Sequence, residues 1–263
     1  MKELINESLI KSGEVLMKYF GEFDDYSVKG DQSNIVTKAD IESEQVIVEL
    51  IKNKYPKHNI IAEESGFVDN ESEYTWIVDP LDGTSNYAVG IPWFGSMIAL
   101  VKKGKVLLAG VHLPATKEIY LAELGEGVTK NGQEIGVTED EEMQNLLIAY
   151  SLDFSEDIEK IKEEVNPIVS IVQNARNFRS TNSVIDSCYV ADGRLGGCVY
   201  RTAKIWDVAA TSLIVEEAGG LATDIISNKF DFKVDRENYL QDYSFVAASQ
   251  PIHDKMISFI NSK

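Results

Sequence analysis

The chain has 263 residues, 44% hydrophobic and 26% charged, the composition of a globular protein large enough to bury a substantial core. Its 25 Lys and Arg against 43 Asp and Glu leave a net charge of −18, which disfavours nucleic acid and anionic membranes as bulk ligands. Two cysteines, Cys188 and Cys198, are too few for a disulfide framework and read as free buried thiols. Glu3 and Glu7 stand where a signal peptide needs an apolar run, and no apolar stretch is long enough to span a bilayer, so a cytoplasmic location is expected.

Apolar residues at Ile5, Leu9, Leu16 and Phe20, with small Ser12 on the same face, predict a first helix closed by Gly21. Residues 27–34 read as a polar loop. A second helix is expected from residue 37 to about 54, its stripe Ile41, Val48 and Ile51 backed by Ile47 and Leu50. Residues 75–78 read as a buried strand stopped by Pro80. Strand-like runs at 97–101 and 106–111 flank Lys102-Lys103-Gly104-Lys105 as a hairpin, and 118–123 and 127–131 extend an antiparallel meander. Farther on, helices at 157–171, 182–191 and 204–218, the last ended by Gly219-Gly220, bracket a strand at 197–201. No repeat or linker divides the chain, and the best seam, near 138–145, gives two packed halves of about 1–142 and 143–263 within one domain.

The densest chemical signal is Trp76-Ile77-Val78-Asp79-Pro80-Leu81-Asp82-Gly83-Thr84. An apolar strand delivers Asp79 to its C-terminal end, Asp82 follows in the turn, and Gly83 lets backbone approach a ligand. Asp-Pro-x-Asp-Gly alone is a common turn, but two carboxylates this close repel unless a cation lies between them. Hard oxygen donors favour Mg²⁺ over Zn²⁺, and the amides of Gly83 and Thr84 suit a phosphate. Glu63, after the apolar run Ile60-Ile61-Ala62, is a further ligand candidate, because alternation places it and Glu64 on opposite faces. Asp207 sits in the first turn of an apolar helix, where it either complements the helix dipole or binds a metal. Asp40, in Thr37-Lys38-Ala39-Asp40, is explained by a capping box alone. His58, His112 and His253 have no metal-type spacing and read as surface or packing residues.

Asp79-Pro80-Leu81-Asp82-Gly83-Thr84 and Trp206-Asp207-Val208-Ala209-Ala210 through Glu217-Ala218-Gly219-Gly220 resemble motifs of the inositol monophosphatase family of Mg²⁺-dependent, lithium-sensitive phosphatases. Ala62-Glu63-Glu64-Ser65 and the segment from Asn34 to Asp40 match two upstream motifs in the same order. The resemblance implies a layered αβαβα sandwich, a homodimer, and two or three Mg²⁺ held by Glu63, Asp79, the Leu81 carbonyl, Asp82 and Asp207. It assigns Asp40 and Thr84 to the pair that orients the attacking water, replacing the capping explanation of Asp40, and places Lys29 on a loop near the metals. Phosphate contacts would come from Asp82, Gly83 and Thr84.

Seven positions before the metal-binding Asp207, inositol-specific members carry a Glu that holds substrate hydroxyls, whereas this chain has Tyr200, followed by Arg201 and Lys204. Ser180-Thr181-Asn182-Ser183 stands where the family has a Gly-Ser-Ala-Ala-like segment, making Ser183 a substrate candidate. Arg201 and Lys204 either balance local carboxylates or attract a second anionic group. The expected activity is therefore a broad phosphomonoesterase of inositol phosphate and related small esters. The alternatives are an NADP(H) 2′-phosphatase or a fructose-1,6-bisphosphatase and, in another class, a catalytically silent cation-binding regulatory protein.

Overall fold

The computed structural model describes residues 1–22, 26–28 and 35–261. Helix α1 (Lys2–Tyr19) buries Ile5, Leu9, Ser12 and Leu16, as its periodicity predicts. Phe20 lies just past the helix end and packs its ring on Tyr87 and Phe94. Residues 27–28 of the expected loop are strand, β1 (Tyr26–Val28) pairing antiparallel with β2 (Ile35–Thr37), and residues 29–34 lie outside the described residues. Helix α2 (Lys38–Lys54) departs from its expected stripe, since Ile41 is 45% exposed. Its first turns bury Asp40, Ser43 and Glu44, and the apolar contact is made by Ile47, Val48 and Ile51 with Leu50 packed against them, as expected for those four.

Strands β3 (Asn59–Ala62), β4 (Gly66–Val68) and β5 (Tyr74–Asp82) are followed by the short helix α3 (Thr84–Ala88). Then come β6 (Gly95–Lys102), β7 (Lys105–Leu113), β8 (Glu118–Glu123), β9 (Gly127–Lys130) and β10 (Gln133–Glu134). They form a sheet of order β10-β9-β8-β7-β6-β5-β3-β4, antiparallel except for the parallel pair β3/β5. Consecutive residues of β5 go to opposite faces: Trp76 and Val78 pack under α1 and α2, while Ile77 faces the other way.

The second sheet begins with β11 (Leu147–Ser151); α4 (Ile158–Asn174), capped by the Asp157 side chain, then leads to β12 (Asn177–Arg179). Helix α5 (Ile185–Ala191) starts three residues later than expected, because Asn182 takes φ 49° and breaks the helical path. Strand β13 (Gly197–Ala203), α6 (Ile205–Glu217), β14 (Leu221–Thr223), β15 (Tyr243–Ala248) and α7 (Gln250–Asn261) complete the chain, with sheet order β12-β11-β13-β15-β14.

Helix α6 is apolar on every side because it lies between the two sheets, where Val208, Leu213 and Val215 share one core with Ile77, Met97 and Phe245. On the outside of the second sheet, Ile171 and Met256 of α4 and α7 pack with Ile148, Val199 and Val246. The layers therefore run α1/α2, first sheet, α5/α6, second sheet, α4/α7, an αβαβα sandwich. Cys188 and Cys198 are buried free thiols. No helix among the described residues is long and apolar enough to cross a membrane.

Candidate active site

Pro80 does not stop β5. The strand runs through it to Asp82, with a register shift against β6: Asp79 pairs with Met97, yet Asp82 pairs with Gly95. Three steps on β5 thus match two on β6, which is a bulge. Pro80 has no N–H to lose there, and its carbonyl accepts a hydrogen bond from Ser43 Oγ at 3.1 Å. In a regular strand, Asp79 and Asp82 would point to opposite faces; the extra residue brings them to one side.

Asp207 joins them from α6, held by the Lys204 N–H, which donates to Oδ2 at 2.5 Å. Ligand oxygens of Asp79, Asp82 and Asp207 all lie within 4.8 Å of one another. Asp79 is fully buried, whereas Asp82 and Asp207 are partly open to the cleft. Asp79 accepts from Leu81 N–H, and Asp82 accepts a short hydrogen bond from Val184 N–H. Burial, and then the charges of Glu63, Asp82 and Asp207, push Asp79 well above the usual carboxylate range. Burial also raises Asp82 to about 6, and burial with the Asp82 charge raises Asp207 to about 8. Among the described residues no positive side chain hydrogen-bonds or ion-pairs with the three acids, although the charge of Lys204 acts on Asp207. An all-oxygen donor set of this kind fits a hard divalent cation.

Glu63 reaches the site from a turn rather than from strand alternation, because β3 ends at Ala62. Its N–H donates to the Val78 carbonyl at 3.2 Å. The turn is fixed by Glu44, which the sequence reading missed: its carboxylate accepts from Glu64 N–H at 2.7 Å and Ser65 N–H at 2.8 Å. The available signal was position, since Glu44 lies one turn after Asp40 on the same face of α2. Ser12, read from the sequence as a small residue on the buried face of α1, bonds Oγ to Oγ at 2.7 Å with Ser43, which the sequence reading missed.

Asp40 combines the two roles that the sequence offered. Oδ2 accepts from Thr37 N–H at 2.7 Å and Thr37 Oγ1 at 2.6 Å, completing the capping box. Oδ1 faces Thr84 Oγ1 at 3.2 Å, and the same hydroxyl lies 2.9 Å from the Leu81 carbonyl. Burial raises Asp40 to about 6. Gly83 precedes α3 with φ 81°, and a Cβ there would stand 2.6 Å from the Trp93 carbonyl. Only glycine fits both constraints.

Beside the carboxylates is a cavity lined by Asp82, Ser151, Asp153, Asn182, Ser183, Tyr200, Thr202, Ala203 and Asp207. Ser183 and Tyr200 are thus brought to it, although the Tyr200 hydroxyl turns inward to Ser187 Oγ at 2.8 Å and the Ser183 carbonyl at 3.3 Å. Arg201 and Lys204 do not line the cavity. Arg201 lies beside Tyr150, and Lys204 Nζ donates to Asp242 at 2.6 Å and the Leu240 carbonyl at 2.8 Å. Lys29 lies outside the described residues. The histidines are packing residues: His58 accepts from Trp76 Nε1 at 3.1 Å, His112 bonds the Leu9 carbonyl, and His253 bonds Thr223.

The inositol monophosphatase family model matches residues 1–261. Nus factor SuhB of Haemophilus influenzae is 33% identical over 255 residues, spanning 95% of this chain and 91% of that one. A fructose-1,6-bisphosphatase/inositol-1-monophosphatase of Thermotoga maritima is 32% identical over 259 residues, spanning 96% and 93%. The crystal structure of extragenic suppressor protein suhB from Bartonella henselae has a TM-score of 0.89 at 27% identity, covering 99% of this chain and 98% of that one. With sandwich and carboxylate cluster in agreement, the chain belongs to the inositol monophosphatase family.

Proposed function

We propose that the chain is a Mg²⁺-dependent phosphomonoesterase acting on inositol monophosphate and related small phosphate esters. The observation that carries this reading is the convergence of Asp79, Asp82 and Asp207 from two different layers, with the Asp40–Thr84 pair beside them. Asp79, Asp82 and Asp207, with Glu63 and the Leu81 carbonyl, would hold two or three Mg²⁺. Bound there, Mg²⁺ supplies positive charge that acidifies water and neutralises phosphoryl oxygens.

The remaining chemistry belongs to the chain. Thr84 Oγ has one hydrogen for two acceptors, the Leu81 carbonyl and Asp40 Oδ1. When it donates to Asp40 Oδ1, its oxygen can accept a hydrogen bond from the attacking water and orient it, and as the water's proton arrives its own passes to Asp40. Asp40 Oδ1 is the final acceptor of the proton that passes through Thr84, with Oδ2 fixed by Thr37 so that the carboxylate cannot rotate away. The N–H groups of Gly83 and Thr84 hold a phosphoryl oxygen, with Gly83 keeping the backbone close. Among the described residues no histidine or cysteine lines the cavity. The homodimer implied by the family resemblance belongs to the same proposal.

Phosphate release from p-nitrophenyl phosphate, with Mg²⁺ and with EDTA, tests the reading: turnover is expected only with Mg²⁺. A second reading, a cation-binding regulatory protein on this fold, is favoured by relatives named Nus factor SuhB. Mg²⁺ binding without turnover of any ester would select it.

A further inference from the structure

We propose that Glu44 is a positioning residue of the cation site, acting through the turn that carries Glu63. The proposal rests on the cation site of the proposed function, with Glu63 among its ligands, and not on turnover. Glu63 stands first in a three-residue turn, since Ala62 of β3 pairs directly with Gly66 of β4. Beyond the ladder the amides of such a turn have no strand partner of their own, so its conformation depends on what they bond instead.

All three amides of this turn are held. Glu63 N–H donates to the Val78 carbonyl of β5 at 3.2 Å, and the N–H groups of Glu64 and Ser65 donate to Glu44 at 2.7 and 2.8 Å. These last two bonds end on different oxygens, Oε2 and Oε1, so the carboxylate grips the turn at two points. Glu44 is 3% exposed. A carboxylate so buried needs donors, and bonds to a charged acceptor are the stronger kind. With an amide on each oxygen, Glu44 supports a ligand rather than acting as one. Glu63 is the member of the turn that reaches the cluster, because its charge acts on Asp79.

The same face of α2 reaches two other parts of the site. Ser43 and Glu44 follow Asp40 by three and four residues, which places all three on one side of the helix. Asp40 Oδ1 meets Thr84 Oγ1 at 3.2 Å, and Ser43 Oγ donates to the Pro80 carbonyl in the β5 bulge at 3.1 Å. Having given its one hydrogen to Pro80, Ser43 accepts from Ser12 Oγ of α1 at 2.7 Å. One helical turn thus sets the partner of Thr84, the bulge between Asp79 and Asp82, and the turn of Glu63. Every hydrogen bond described for Glu44 goes to that last element, so changing Glu44 isolates its path to the cations.

The test is titration calorimetry of Mg²⁺ on wild type, Glu44→Gln, Glu63→Gln and the double variant, with melting temperatures in EDTA showing that each folds. Gln keeps the length of the side chain but turns an NH₂ toward one of the two amides, so the turn is held at one point instead of two. Glu44→Gln is expected to weaken Mg²⁺ binding about tenfold, the size of one lost bond to a charged acceptor. In the Glu63→Gln background the same change is expected to weaken binding by less than about twofold, because the path through Glu63 is already gone. A role confined to packing would lower the melting temperature in EDTA and leave Mg²⁺ binding unchanged. That result, or equal weakening in both backgrounds, would overturn the proposal. If Glu44→Gln does not fold, amide exchange of wild type decides. Protection at Glu64 and Ser65 that rises when Mg²⁺ is added supports the proposal, and protection that Mg²⁺ leaves unchanged refutes it. Absence of Mg²⁺ binding to wild type would overturn it together with the cation site, whereas Mg²⁺ binding without ester turnover would count against the phosphatase reading alone.

Discussion

A single carboxylate shows how local environment sets its role. Asp82→Asn or Asp207→Asn keeps shape and removes charge; either is expected to lower kcat by about 100-fold or more if charge stabilisation is the main catalytic contribution. Steady-state turnover checks this, and wild-type rates in both variants would contradict the site. Asp186 provides a contrast. It is 0% exposed, neither carboxylate oxygen has a hydrogen-bond partner, and burial pushes it to about 7. Its folded-state pKa lies above the unfolded value, so the folded protein binds the extra proton and loses stability as pH rises from about 4 to 7. Asp186→Asn removes that penalty, and its melting temperature is expected to exceed wild type increasingly across this range. The gain above pH 7 is on the order of 2–4 kcal/mol. Asp79, Asp82 and Asp207, whose ligand oxygens the fold brings together, were legible because each stands in a short motif with its own local logic, whereas the residues alone gave Asp40 only a capping role. Glu44 and Ser43 were not, because each acts through a contact between elements distant in the chain, and side-chain type alone carries no trace of that contact.

Elements were legible where one periodicity governed them. The first helix, the 97–111 hairpin and the apolar helix α6 follow directly from burial of one face, or of all faces. The readings failed where a site competes with packing. Pro80 was expected to end a strand but occupies a bulge, where its missing N–H costs nothing. Ile41 was expected to face the core, but the turn of α2 beneath the site buries Asp40, Ser43 and Glu44 instead. Asn182 begins no helix because its backbone is left-handed. Gly83 tests whether the link between β5 and α3 controls the site. Gly83→Ala forces a Cβ to 2.6 Å from the Trp93 carbonyl in a left-handed conformation. The expected cost is on the order of 1–3 kcal/mol in thermal or denaturant unfolding. A larger proportional loss is expected in activity, since the Thr84 hydroxyl moves with the backbone. A variant of unchanged stability would show that α3 can shift freely.

At the scale of the whole molecule, the net charge of −18 separates into two parts. One part is Asp79, Asp82 and Asp207, whose ligand oxygens lie within 4.8 Å of one another, with Asp40 buried nearby at Thr84; the other is carried by acids outside this cluster. Asp40 and Asp82 near 6, Asp207 near 8 and Asp79 well above the usual carboxylate range all have folded values above their unfolded ones. The metal-free protein therefore binds more protons folded than unfolded, and its stability is expected to fall as pH rises from about 4 to 8. Mg²⁺ competes with those protons, so its stabilisation is expected to be small at pH 5 and largest above pH 8, readable as melting temperature with Mg²⁺ and with EDTA. The most direct test of the carboxylate cluster as a cation site is titration calorimetry of Mg²⁺ at pH 7 in two buffers of different ionisation enthalpy. The expected result is binding accompanied by proton release, with both weakened in Asp207→Asn. Absence of binding, or binding without proton release that Asp207→Asn leaves unchanged, would contradict it.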